Sequence, residues 1–263
     1  MPLNRYDNRR VLVTGAGSGI GQATVLRILD EGGSVVGADI SPEGLADTVA
    51  KAGEQSGRLT TLVMDVGREE SVVAGVAEAV ATLGGLDALV NAAGILRSAH
   101  TESLALADFE TVVRVNLFGT FLVIRESIGA LSEGDGPAVV NFSSTSADFA
   151  HPYMAAYAAS KGGIQSMTHA LAAEYAGRGI RFTSVQPGSI SSGMTEGTGE
   201  SKQSVGPGLP EDTDWNLFTK LLPALGHGMA GPEVVASVVA MLASTDAAFV
   251  TGTEIRIDGG THF

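Results

Sequence analysis

From Arg10 to Asp258, short unbroken apolar runs alternate with longer segments in which apolar positions recur every three or four residues. Runs of four to eight apolar residues bounded by Gly, Pro, Asn, Asp or Ser read as buried strands, and the 3.6-residue period reads as helix. Strands are predicted at 11–14 (VLVT), 34–39 (SVVGAD), 59–65, 88–94, 137–144, 180–188 and 254–260. Helices are predicted at 19–32, 42–54, 69–83, 107–131, around Tyr157, and at 232–243. Strands rich in Val, Leu and Ile on both faces, separated by helices, belong to a parallel sheet covered on both sides. The expected fold is therefore α/β, a doubly wound seven-stranded parallel sheet with helices on both faces, in one domain over residues 1–263. One stretch breaks the rhythm: residues 189–231 are rich in Gly, Ser, Pro and Thr around a short possible helix at 215–225. So long a connection is usually functional or covers a sheet edge, and it reads here as a substrate lid.

Composition narrows the chemistry. At 263 residues with 44% hydrophobic and 17% charged content, the chain can bury a large core. It has no cysteine, so disulfides, thiolate metal sites and cysteine nucleophiles are excluded. The five His residues show no HExxH or paired spacing, and no metal site is expected. A formal charge of -13 disfavours nucleic acid and anionic membrane surfaces as partners. Residues 1–15 lack a long apolar segment, and no run of 18 apolar residues occurs, so a soluble, cytoplasmic protein is expected.

The turn TGAGSGIG (14–21) lies between the first strand and its helix. The GxGxxG spacing is not met; the pattern is GxxxGxG, with Gly15, Gly19 and Gly21. Glycine permits a tight turn and close backbone approach, and the helix N-terminus behind Ser18 and Ile20 favours an anionic pyrophosphate. Many strand–helix turns use glycine without a ligand, so the context is what gives this one weight. Asp39 ends the second strand, where a carboxylate accepts from adenosine ribose hydroxyls and repels a 2′-phosphate. No Arg or Lys follows it in Ile40, Ser41 or Pro42. NAD is favoured over NADP. Asp39 also fits a helix cap, though Ser41 before Pro42 and Glu43 fits better. Asp65, with Val66, is positioned either to contact adenine or simply to end a strand.

Thirteen residues after Ser144 comes Tyr157, and four after that comes Lys161. Positions i and i+4 share a helix face, and a serine ending the preceding strand can reach the same point. A neighbouring ammonium is expected to lower the phenol's pKa and suit it to proton transfer at an alcohol oxygen. Taken alone, the pair also fits an ordinary solvated helix face.

In joint order and spacing the chain resembles the single-domain short-chain dehydrogenase/reductase family, from Arg10 to Gly260. The matching residues are TGAGSGIG, Asp39, Asp65 with Val66, NAAG (91–94), VNL with Asn116, NFSS ending in Ser144, YAASK (157–161), Pro187–Gly188 and the late DGG (258–260). The resemblance implies a Rossmann-like fold and roles position by position. Tyr157 would be the catalytic acid/base. Lys161 would hold the nicotinamide ribose and lower the tyrosine pKa. Ser144 would bond the substrate oxygen, with Ser143 as the second choice, and Asn116 would hold a relay water. Asn91, Ala92 and Gly94 would line the cleft; Pro187, Gly188, Ile190 and Ser192 would contact the nicotinamide. Many members have Thr where this chain has Ser192, and Arg where it has His227, to which no role is attached.

Substrate candidates are Leu96, Ser146, His151, Tyr153, Met154, Met194, Trp215 and Phe218. Trp215, Phe218, Leu221, Leu222 and Leu225 form a helical stripe that either lines a pocket or packs on the body. If it lines the pocket, a bulky apolar secondary alcohol or ketone (steroid-, terpene- or aromatic-like) is favoured. The expected activity is an NAD(H)-dependent alcohol dehydrogenase or ketone reductase. One alternative is a 3-oxoacyl reductase acting on acyl carrier protein or CoA thioesters. The overall charge and SEGDGP (132–137) oppose an acidic carrier, although Arg178 and Arg181 offer a small basic spot. A catalytically silent NAD-sensing regulator is the alternative of another class. The resemblance also implies a homotetramer or homodimer paired through the Asn116 and Tyr157 helices.

Overall fold

The computed structural model describes residues 4–191, 208–225 and 228–262. Seven parallel strands form one sheet: β1 (Arg10–Thr14), β2 (Ser34–Asp39), β3 (Leu59–Val63), β4 (Ala88–Asn91), β5 (Ala138–Phe142), β6 (Arg181–Pro187) and β7 (Thr253–Ile257). Their order is β3-β2-β1-β4-β5-β6-β7. The chain winds outward from β1 to β3, then returns to the other side of β1 with β4. A crevice opens at such a reversal, outside the carboxyl ends of the strands.

The helices are α1 (Gly19–Asp30), α2 (Pro42–Ala52), α3 (Glu69–Leu83), α4 (Leu106–Val113), α5 (Gly119–Ser132), α6 (Ala155–Tyr175) and α7 (Pro232–Ala243). Side chains alternate across a strand, so β1 feeds two cores. Val11 and Val13 pack with Ile28 of α1 and Val239 of α7, while Leu12 packs with Val76 of α3 and Ile124 of α5. Ser41 caps α2 as expected, its Oγ accepting the Gly44 N–H at 3.0 Å.

The first two strands end where predicted, and β3 to β7 are shorter than predicted at their carboxyl ends. Residues 64–65, 92–94, 143–144 and 258–260 lie beyond the carboxyl ends of their strands, outside the sheet. Residues 107–131 are not one helix: a π-helical turn at Arg114–Phe118 separates α4 from α5. Such turns mark local distortions of the hydrogen-bond ladder and are frequent at functional sites. In place of a helix over 215–225 there is a 3-10 turn at Trp215–Leu221. Pro223 stops it, because the residue before a proline is driven to extended backbone; Leu222 has φ -84° and ψ 131°.

The basic spot expected at Arg178 and Arg181 does not form. Arg181 is only 8% exposed; its guanidinium donates to the carbonyls of Leu242 (2.9 Å) and Ser244 (2.8 Å). Arg9 donates to Ala243 O at 3.2 Å and Tyr6 Oη to Ala240 O at 2.7 Å. The carbonyl end of α7 carries partial negative charge and unpaired acceptors, which draw these cations inward.

Candidate active site

The glycine turn is built by contacts that leave no room for a side chain. Gly15 has φ +70°, and a Cβ there would sit 2.7 Å from the Ala93 amide nitrogen. At Gly21 a Cβ would lie 2.0 Å from the Gly15 carbonyl oxygen. The turn is thus pressed between α1 and the loop after β4. Asp39 closes it from the side: one carboxylate oxygen accepts the Gly17 N–H at 2.9 Å, the other the Ser41 N–H at 2.9 Å. Ser18 precedes α1 without capping it by its side chain, so the first N–H groups of that helix face the crevice. Asp65 also shapes its own turn, accepting from Gly67 N–H at 2.9 Å.

On the other side of β4, α6 presents buried Ala156, Ser160, Ile164, Thr168 and Ala172 to the body at four-residue spacing. Tyr157 and Lys161 stand one position along, on the adjoining row that looks toward the ends of β4 and β5. Lys161 Nζ donates to Phe142 O at 2.7 Å and lies 5.5 Å from the Tyr157 ring centroid. Ser144, just past β5, is hydrogen-bonded to the Tyr157 phenol, and its Oγ accepts the Ser146 N–H at 3.2 Å. Ser143, the second choice, points away: its hydroxyl donates to Lys161 O at 3.0 Å.

Asn116 sits within the π-helical turn, completely buried. Its amide clamps the backbone of Ile95 through both groups, accepting from the N–H at 2.8 Å and donating to the carbonyl at 3.0 Å. It also donates to Ser160 Oγ at 3.0 Å. A Cβ on Gly94 would lie 3.2 Å from Asn116 Oδ1 and 3.7 Å from Lys161 Nζ, so glycine lets the two approach.

The electrostatics depart from expectation. The net shift of the tyrosine is upward: burial pushes the Tyr157 phenol up to about 12, with the Ser144 hydrogen bond acting in the opposite direction. Burial likewise pushes Lys161 down to about 8. Both groups have lost water, and desolvation penalises each charged form.

A cavity of about 1520 Å³ joins the two halves. Gly15, Ser18, Gly19, Ile20, Gly21, Asp39, Asp65, Val66, Ala92 and Gly94 line one end; Ser144, Tyr157, Lys161, Pro187, Gly188 and Ile190 lie with them on its wall. The volume, the side-chain-free turn and the open helix N-terminus fit a dinucleotide with an anionic pyrophosphate. Asn91 is a correction. It ends β4 facing inward, donates to Asn141 Oδ1 at 2.9 Å, and does not line this cavity.

Leu96, His151, Met154, Trp215 and Phe218 line the same cavity, joined by Leu221 and Leu222 from the predicted stripe. Leu225 departs from the stripe; it is 77% exposed, its N–H bound to Gly259 O at 2.8 Å. Ser146 is buried with its hydroxyl off the cavity, and Tyr153 stands behind Phe218. Ser192, Met194 and His227 lie outside the described residues. The sequence reading missed Arg97, Leu209 and Met229 on the cavity wall. They come from irregular loops, where no periodicity marks a facing side.

The sequence matches the short chain dehydrogenase family over residues 9–203. It is 36% identical to a 3-oxoacyl-[acyl-carrier-protein] reductase of Thermotoga maritima over 97% of this chain and 98% of that protein. It is 35% identical to a cyclohexanol dehydrogenase of Acinetobacter sp. (strain SE19), over 97% of this chain and 96% of that protein. The crystal structure of a short chain dehydrogenase from Mycobacterium paratuberculosis bound to NAD superposes with a TM-score of 0.89, at 30% identity and 98% coverage of both chains. Among the described residues no helix is long and apolar enough to cross a membrane. A glycine turn, a Ser–Tyr–Lys cluster and a match running through both make this chain a member of the short-chain dehydrogenase family, and hence an oxidoreductase enzyme.

Proposed function

We propose that the protein is an NAD(H)-dependent enzyme interconverting a secondary alcohol and a ketone on a bulky, mainly apolar substrate. The observation that carries this reading is one cavity in which Asp39, Tyr157 and an apolar wall of Leu96, Met154, Trp215, Phe218 and Leu222 meet. The wall suits an apolar ligand oriented by few polar groups. Asp39 presents a carboxylate where a 2′-phosphate would be repelled, which supports NAD over NADP.

A nicotinamide dinucleotide held at the glycine turn would supply the hydride chemistry. Tyr157 Oη exchanges the proton with the substrate oxygen, as base in oxidation and acid in reduction. Ser144 hydrogen-bonds that oxygen and fixes its approach. Lys161 binds the ribose hydroxyls and supplies positive charge beside the phenol. Asn116 holds Ile95 and the loop after β4 in place beside Lys161, where a relay water would sit. The described chain serves this one task as a single domain; of the expected lid at 189–231, residues 192–207 and 226–227 lie outside the described residues, and Leu209, Trp215, Phe218, Leu221 and Leu222 border the substrate end.

Exposed Phe118 and Phe121, beside Asn116, support pairing of two copies through this helix into a homodimer or homotetramer. The location that fits these features is the cytoplasm. Reduction of the 3-oxo group of an acyl thioester on an acidic carrier protein is less well supported, because Arg181 is buried and Glu133 and Asp135 stand just before β5. The test is NADH formation at 340 nm across a panel of secondary alcohols, with NAD against NADP and wild type against Tyr157→Phe. Turnover with NAD that the Phe variant abolishes is expected. Tight dinucleotide binding without turnover on any alcohol or ketone would point to the sensor, and preference for NADP would overturn the role of Asp39.

A further inference from the structure

Tyr153 is a bulky residue with φ +66°, a backbone region that such side chains rarely enter. Conformations of this kind persist where surrounding contacts over-determine them. Here two separate segments converge on it. Its carbonyl accepts the Ala99 N–H at 2.9 Å, from the loop after β4. From the same loop His100 meets its ring edge-on, with centroids 5.0 Å apart and planes at 83°. From the segment over the cavity, Phe218 stacks on the ring at 6.2 Å and 19°, and the Asp214 N–H donates to the phenol oxygen at 3.1 Å. A second tie joins the same two segments: His100 Nε2 lies 2.9 Å from Asp212 Oδ1.

Tyr153 itself does not line the cavity, whereas Phe218 and its ring neighbour Trp215 (5.6 Å between centroids) do. We infer that Tyr153 is a positioning residue for the reaction, setting the substrate wall by holding residues 212–218 against the body, with the His100–Asp212 pair as its second anchor. This rests on the proposed alcohol–ketone activity for its kinetic consequences.

The charged groups facing His100 are Asp212 across the gap and Glu102 on its own turn. The hydrogen bond to Asp212 is the main cause holding His100 above the usual imidazole range, with Glu102 adding to it. The anchor is an ion pair while His100 is protonated and a neutral hydrogen bond once it has lost that proton. The wall is therefore held tighter while His100 is protonated than after it has lost the proton.

Two readouts test the assignment. Trp215 is the chain's single tryptophan, so acrylamide quenching of its fluorescence reports the seating of this segment without any turnover. In wild type, quenching is expected to rise as pH is raised through the titration of His100; in His100→Gln it should be flat. Kinetically, Tyr153→Phe removes one neutral hydrogen bond and should raise KM for cyclohexanol by about three- to tenfold. The KM for 2-propanol, too small to reach Phe218, and kcat for both should stay near wild type. Quenching that ignores pH, or an equal rise in both KM values, overturns the inference. A quenching titration without turnover on any alcohol upholds the anchor and sinks the alcohol–ketone reading instead.

Discussion

The two ends of the cavity are made in opposite ways. At the dinucleotide end the wall is mostly backbone: Gly15, Gly19, Gly21 and the Gly17–Asp39 hydrogen bond belong to one strand–turn–helix–strand unit. At the substrate end the wall is side chain, drawn from three loops that meet only in the folded chain, through Leu96, Met154, Trp215 and Phe218. A backbone-made surface tolerates almost no substitution, because any added atom collides. A side-chain wall held by a few ring contacts can change shape while the fold stands. One end is therefore suited to a constant ligand and the other to a variable one.

Between the ends stands Tyr157, and its loss is the largest effect expected. Tyr157→Phe removes the proton donor and should lower kcat by about 10²–10⁴-fold. Dinucleotide affinity by calorimetry should remain, because the glycine turn is untouched. Gly15→Ala should do the reverse. Its Cβ has no room beside Ala93, and its backbone would be held in a left-handed conformation, costing roughly 1–3 kcal/mol. Both urea stability and dinucleotide affinity should fall together. An unchanged affinity would break the claim that this end is read by backbone.

Lys161 gives a smaller effect that fades as pH rises. Below pH 8 it is protonated in both folded and unfolded chains, so the penalty of burying its charge is fully present. Between about 8 and its ordinary 10.5 the unfolded chain binds more protons, and stability rises with pH. The shift corresponds to about 3 kcal/mol, of which the bond to Phe142 O offsets about 1. Lys161→Met should therefore be more stable than wild type at pH 7 by about 1–2 kcal/mol and lose that advantage by pH 10, although it is inactive at both. Activity should divide by direction. Oxidation needs the scarce Tyr157 phenolate and should quicken as pH rises. Reduction uses the abundant phenol and should decline above pH 8, as Lys161 loses its charge.

The smallest stability effect is expected at the substrate end. Trp215 is 66% exposed, and Trp215→Ala should change unfolding free energy by less than about 0.5 kcal/mol. Its KM for a bulky alcohol should still rise several-fold, since one ring of the wall is gone. A large loss of stability would show that this segment belongs to the core rather than to the pocket.

The seven strand centres and the spacing of Ser144, Tyr157 and Lys161 were legible because each depends on neighbours along the chain. Strand periodicity, a glycine turn and an i, i+4 pair carry their geometry with them. The predicted strands overran where residues 92–94 and 258–260 turn out toward the crevice: an apolar or glycine-rich run looks the same in the sheet and just beyond it. Asn91 was misplaced for a related reason. Whether the last residue of β4 faces the cavity or Asn141 depends on its register with β5.

What the sequence determined by itself was the α/β alternation, the glycine turn beside Asp39, and the spacing of Ser144, Tyr157 and Lys161, all set by short-range sterics and fixed helical or strand periods. Only the tertiary structure decided that Arg181 turns inward to the carbonyls of α7, that Asn116 clamps Ile95 from a π-helical turn, and that burial raises Tyr157 while lowering Lys161. It alone placed Tyr153 between His100 and Phe218. Each of these is a matter of which distant groups share one low-dielectric space, and desolvation and partner choice are properties of that space rather than of any local stretch of chain.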